Sequence, residues 1–70
     1  MSEIRAPITG SVWKVLVGEG DRVTLGDEVA IIESMKLEIP VEAEEEGTVR
    51  RVLVSDGDSV AEGDPLIELS

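Results

Sequence analysis

Few side chains in this sequence could do chemistry, and Lys36 is placed differently from the rest. The stretch Glu33-Ser34-Met35-Lys36-Leu37-Glu38 joins two runs that read as β-strands, residues 28–32 and 37–41. No Gly, Pro, Asn or Asp lies between those runs. The spacing therefore predicts a tight hairpin built from residues that rarely form turns, with Lys36 at or near its tip. Taken alone, an exposed hairpin lysine is most often a solvated charge. Lys14, the other lysine, falls on a strand with Arg51 in an equivalent position, and a charge on a solvent face accounts for it. Asp56-Gly57-Asp58 invites a calcium loop, but it does not open a twelve-residue ligand pattern, and a structural turn is the better expectation.

What the composition lacks narrows the field further. With no cysteine there is neither a disulfide nor a thiolate metal site, and with no histidine the zinc, haem and general-base chemistries lose their commonest residue. No metal site and no catalytic residue is expected. Trp13 is the only aromatic residue and the net charge is −10. Base stacking is thereby disfavoured, and phosphate backbones and anionic membranes would be repelled. No apolar run reaches the length of a membrane span, and no basic segment followed by an apolar one opens the chain. A soluble, cytoplasmic, monomeric protein standing alone is the expectation, with no nucleic-acid or membrane partner.

The elements that must position Lys36 come from an internal repeat. At an offset of 37 positions Ala6 falls on Ala43, Gly10 on Gly47, Val12 on Val49, and Val15-Leu16-Val17 on Val52-Leu53-Val54. Gly20-Asp21 falls on Gly57-Asp58, Val23 on Val60, and Gly26-Asp27 on Gly63-Asp64. Matched glycines and Gly-Asp turns are hard to produce by chance in a valine-rich chain. Each copy reads as short strand, glycine, long strand, turn, valine, turn, strand. Neither could bury its apolar face alone.

Two copies packed about a quasi-twofold axis give a single all-β domain over residues 1–70, a flattened barrel or sandwich of two four-stranded antiparallel sheets. Its halves, about 4–33 and 41–70, are joined by the Lys36 hairpin. The equivalent joint at the other end is cut by the termini, so Lys36 should protrude at one end with both termini near the other. Val12 and Val15 differ in parity, as do Val49 and Val52, which predicts a bulge or sharp twist in both long strands.

Residues Glu33-Ser34-Met35-Lys36-Leu37, with Pro7, Gly10, Gly20-Asp21, Gly26-Asp27 and Gly47 at their spacings, resemble the biotinyl/lipoyl attachment domain family. The motif is most similar to that of its free-standing biotin carboxyl carriers. The resemblance covers essentially the whole chain. It implies the same flattened barrel, and it implies that Lys36 is the covalent attachment point. A ligase would form an acyl-adenylate, and the neutral amine of Lys36 would attack its carbonyl to give an amide. The protein would then be a substrate and swinging-arm carrier, not an enzyme.

Biotin is the first expectation, because methionine precedes the lysine as in biotin carriers. Lipoate is the alternative, alone or alongside biotin, because Leu37-Glu38-Ile39-Pro40-Val41 is similar to the segment after the lysine in lipoyl domains. Met35, Leu37, Glu33 and Ser34 would help the ligase recognise the hairpin. The extra loop of some biotin carriers has no room at residues 18–21. Implied partners are a biotin protein ligase, a lipoate ligase in the alternative, and biotin carboxylase and carboxyltransferase components. An unmodified barrel serving as an adaptor is the third reading.

Overall fold

Four copies of one turn frame the fold, which the computed structural model describes for residues 2–70; Met1, the first residue of the expected domain, lies outside them. The turns are residues 18–21, 24–27, 55–58 and 61–64. In each the third residue is a glycine with φ of 90–93°, and the aspartate N–H donates to the carbonyl three residues earlier at 3.0–3.1 Å. This is the pattern of a type II turn. Each aspartate then folds its Oδ2 back to accept from the N–H of that same earlier residue at 2.8 Å. The carboxylate of Asp58 is engaged in this way, as is that of its counterpart Asp21.

Between the turns run eight strands: β1 Ser2–Arg5, β2 Gly10–Val15, β3 Arg22–Val23, β4 Glu28–Ser34, β5 Leu37–Glu42, β6 Gly47–Val52, β7 Ser59–Val60 and β8 Pro65–Leu69. They form two four-stranded sheets, ordered β1-β8-β6-β3 and β5-β4-β2-β7, with every pair antiparallel. The all-β, two-sheet barrel expected from the repeat is the fold observed. No helix among the described residues is long and apolar enough to cross a membrane.

The two halves are interlocked rather than stacked. Each sheet takes two strands from either half, and the turns of one half bond the strands of the other. Gly20 N–H donates to Val49 O and Val49 N–H to Asp21 O; in the counterpart, Gly57 N–H donates to Val12 O and Val12 N–H to Asp58 O. The ladders obey the same exchange: Ile32 faces Ile39 in one sheet and Leu69 faces Ser2 in the other. Ser2 and Leu69 therefore occupy the quasi-twofold counterpart of the hairpin strands.

Both long strands carry the bulge that their parity break predicts. The ladder register shifts between Val12 and Lys14 against β4, and between Val49 and Arg51 against β8. One extra residue lets Val12 and Val49 reach the core, while Val15 and Val52 pack against it on the same side. The core is apolar throughout, with Val29, Ile32, Leu66 and Ile67 fully enclosed, and no polar side chain is buried among the described residues.

Candidate functional site

Strand pairing continues further toward Lys36 than the apolar pattern suggests. Strand β4 runs through Glu33 and Ser34, beyond the run 28–32 expected from sequence, and Ser34 pairs with Leu37. Only Met35 and Lys36 remain as loop. Both have positive φ, 52° and 67°, the signature of a two-residue type I′ hairpin turn. That turn favours Asn-Gly, because a side chain with a Cβ in the left-handed region costs about 1–2 kcal/mol. The tip is held in this conformation by the strands below it.

Those strands are anchored tightly. Ile32 is fully buried beneath the tip, and its partner Ile39 is half-buried. Gly10 on β2 lies so close to β4 that a Cβ there would run into the carbonyl of Glu33 and come within 2.9 Å of Ile32 Cγ2. The sequence marks Gly10 as a repeat position and as part of the family pattern; its further role, letting β2 press against the base of the hairpin, is visible only in the fold. At its counterpart Gly47 a Cβ would meet Ser70 O at 3.2 Å.

At the tip the side chains face solvent. Met35 is 92% exposed and Leu37 64%, so two apolar side chains flank the lysine without a surface to cover them. Lys36 is exposed, and its ammonium has no hydrogen-bond or ion-pair partner among the described residues. Ser34 is half-buried. Glu33 stands directly opposite Glu38, so two carboxylates repel across the ladder next to the tip. All five residues singled out from sequence (Glu33, Ser34, Met35, Lys36 and Leu37) thus gather on one hairpin end. Glu38 and Gly10 join them.

The arrangement is a projection, not a pocket. An open groove of about 820 Å³ between the β1 and β5 edges, lined by Arg5, Leu25, Pro40 and Glu42 among others, includes none of residues 33–38. Whatever acts on Lys36 must bring its own cavity. The hairpin holds the amine clear of the surface on a backbone with little freedom.

One consequence concerns stability. Met35→Asn should raise the midpoint of urea unfolding by the equivalent of about 0.5–1 kcal/mol at unchanged m-value, because asparagine tolerates the left-handed region and Met35 gives up almost no buried area. A lower midpoint would mean that the tip is not strained.

Comparison with known proteins gives three kinds of match. A family model described as biotin-requiring enzyme, of the biotin/lipoyl type, matches residues 2–69. The biotinylated protein TB7.3 of Mycobacterium tuberculosis is 54% identical over 39 residues, 56% of this chain and 55% of that one. The biotin/lipoyl attachment protein of Bacillus subtilis is 54% identical over 37 residues, 53% of this chain and 51% of that one. The chain spans about half the length of these curated relatives. Among solved structures, the urea carboxylase of Kluyveromyces lactis superposes with a TM-score of 0.91 at 38% identity, over 99% of this chain and 6% of that one.

Proposed function

The chain belongs to the biotin/lipoyl attachment domain family, and from that premise we propose that it is a carrier loaded covalently on Lys36, with biotin as the group attached. One observation carries the assignment to Lys36: a lysine at the tip of a two-residue left-handed turn, exposed and without a partner for its ammonium. The neutral Lys36 amine attacks an activated carboxyl group presented by a ligase, an amide forms, adenylate leaves, and the ligase takes the proton. Nothing in this step asks the carrier for an acid or a base, in keeping with a chain that has no histidine. Once attached, biotin supplies a ring that accepts and releases carboxylate at the end of a long arm.

The fit of this group rests on the residues at the tip. Met35 and Leu37 offer apolar contacts on either side of the amine, and Glu33 with Glu38 offers paired negative charge. Ser34 closes the turn through its pairing with Leu37. A ligase can read all of these without unfolding the hairpin. The partners implied are a biotin protein ligase and the carboxylase and carboxyltransferase components that use the arm. Biotin is favoured by Met35 before the lysine and by relatives named as biotinylated.

Lipoate is the second reading. It is favoured by Leu37 rather than methionine after the lysine, and by a relative whose name includes both groups. The test is intact mass after separate incubation with a biotin ligase plus biotin and ATP, and with a lipoate ligase plus lipoate and ATP. A biotin-sized gain alone supports the carboxyl carrier. A lipoate-sized gain alone moves the function to acyl-group transfer. Failure of both would leave the barrel as an adaptor.

A further inference from the structure

The quasi-twofold axis lets one sheet serve as an internal control for the other. On the outer face of the sheet that carries Lys36, the β2 bulge places Trp13 beside Lys14, and Lys14 stands opposite Ile31, which in turn stands opposite Pro40. These side chains point outward because their neighbours Val12 and Ile32 are buried in the core. Trp13 is 50% exposed, Ile31 is half-buried and Pro40 is exposed. At the same positions of the other sheet, the offset of 37 puts Arg50, Arg51, Glu68 and Glu3. Arg50 pairs with Glu68 there at 3.4 Å.

The fold therefore accepts charged residues at all four positions, as its own second half demonstrates. Packing does not require an indole, an isoleucine and a proline on the solvent side. The apolar patch is also framed by charge of one sign: Glu33 opposite Glu38 on the side toward Lys36, and Glu28 opposite Glu42 on the other. Lys14 is the one cation within it among the described residues. A half-exposed indole at the β2 end of an apolar row, with charge flanking that row on β4 and β5, supplies the kind of large aromatic anchor that dominates protein contacts.

We propose that this outer face is the docking surface for the ligase that acylates Lys36, with Trp13 seated in an apolar pocket and basic ligase side chains meeting the four carboxylates. The inference rests on the carrier reading above and deepens it. The patch lies three residues along the β4–β5 ladder from the pair that closes the hairpin, about 10 Å at the rise of a strand. The ligase is the partner that meets the protein before any arm exists, so only the surface can identify it. Docking here also covers Lys14 and leaves Lys36 as the reachable amine.

The test uses the full chain and whichever ligase loads the parent protein. Trp13→Arg places at position 13 the residue that already occupies its counterpart, so the variant should fold; its melting curve checks this. Arg50→Trp is the reciprocal control on the other sheet. The expected result is a KM for the carrier about 30-fold higher in Trp13→Arg with kcat unchanged, and no change in Arg50→Trp. The parent KM should also rise with ionic strength. A KM for Trp13→Arg within threefold of the parent, an effect confined to kcat, or an equal loss in Arg50→Trp would overturn the assignment. If neither ligase loads the parent, the carrier reading fails and this surface falls with it.

Discussion

Lys36→Arg abolishes loading by either ligase while leaving the melting curve of the protein where it was. Arginine keeps the positive charge and much of the stem, and position 36 is exposed with no partner for its ammonium, so the fold loses nothing. Its left-handed backbone, φ 67°, is no harder for arginine than for lysine. The chemistry does change. A guanidinium stays protonated at any working pH and offers no lone pair to a carboxyl carbon. The drop should run from complete loading to none detectable by intact mass. Undiminished loading of the variant would move the attachment point, with Lys14 the first place to look. In cells that depend on the protein, a fully functional variant would argue for the adaptor instead.

The second large effect is structural. Gly10→Ala should destabilise the domain by about 2–4 kcal/mol, toward the upper end of what overpacking does, because the obstacle is backbone. The new Cβ would press on the Glu33 carbonyl and lie 2.9 Å from Ile32 Cγ2, in the middle of a sheet. For a domain of this length the whole stability is about 4–10 kcal/mol, so much of it would be lost. Gly47→Ala is the control, since the nearest contacts of its new Cβ would be looser, 3.2 Å to Ser70 O and 3.4 Å to Leu69 Cβ. Those neighbours need give only a few tenths of an ångström, and a loss below about 1 kcal/mol is expected. Urea unfolding of the two variants side by side decides the point. Equal losses would show that the closer approach of β4 at Gly10 adds no cost.

Much of this fold can be read in the sequence because its strongest signals are positional. Gly20-Asp21, Gly26-Asp27, Gly57-Asp58 and Gly63-Asp64 mark turns that only glycine at φ near +90° can make, and the aspartate locks each one with its own carboxylate. The parity break at Val12 and Val15 has one cheap solution, a bulge, and the structure uses it twice. Pairing between halves is less legible. An offset of 37 says that Gly20 and Gly57 are equivalent, but not that Gly20 bonds Val49 across the barrel.

At the site, the hairpin and its lysine are legible from spacing, whereas the conformation of the tip is not. Met35 and Lys36 carry no local preference for positive φ, so the turn is imposed by the strands that hold Ser34 against Leu37. Trp13 reads from sequence as a lone aromatic on a strand. Its meaning emerges only when the outer face is assembled and Arg50 is seen in the same place on the other sheet. The choice of cofactor is legible least of all, since biotin and lipoate would form the same amide with the same lysine.

Tandem mass mapping of the loaded wild-type protein, after proteolysis that separates Lys14 from Lys36, puts the attachment site to the sharpest test. The expected result is one adduct per chain, on the peptide containing Lys36, with the peptide containing Lys14 unmodified. An adduct on Lys14 or the chain terminus, or a loaded fraction split between the two lysines, would contradict a carrier loaded at the hairpin tip.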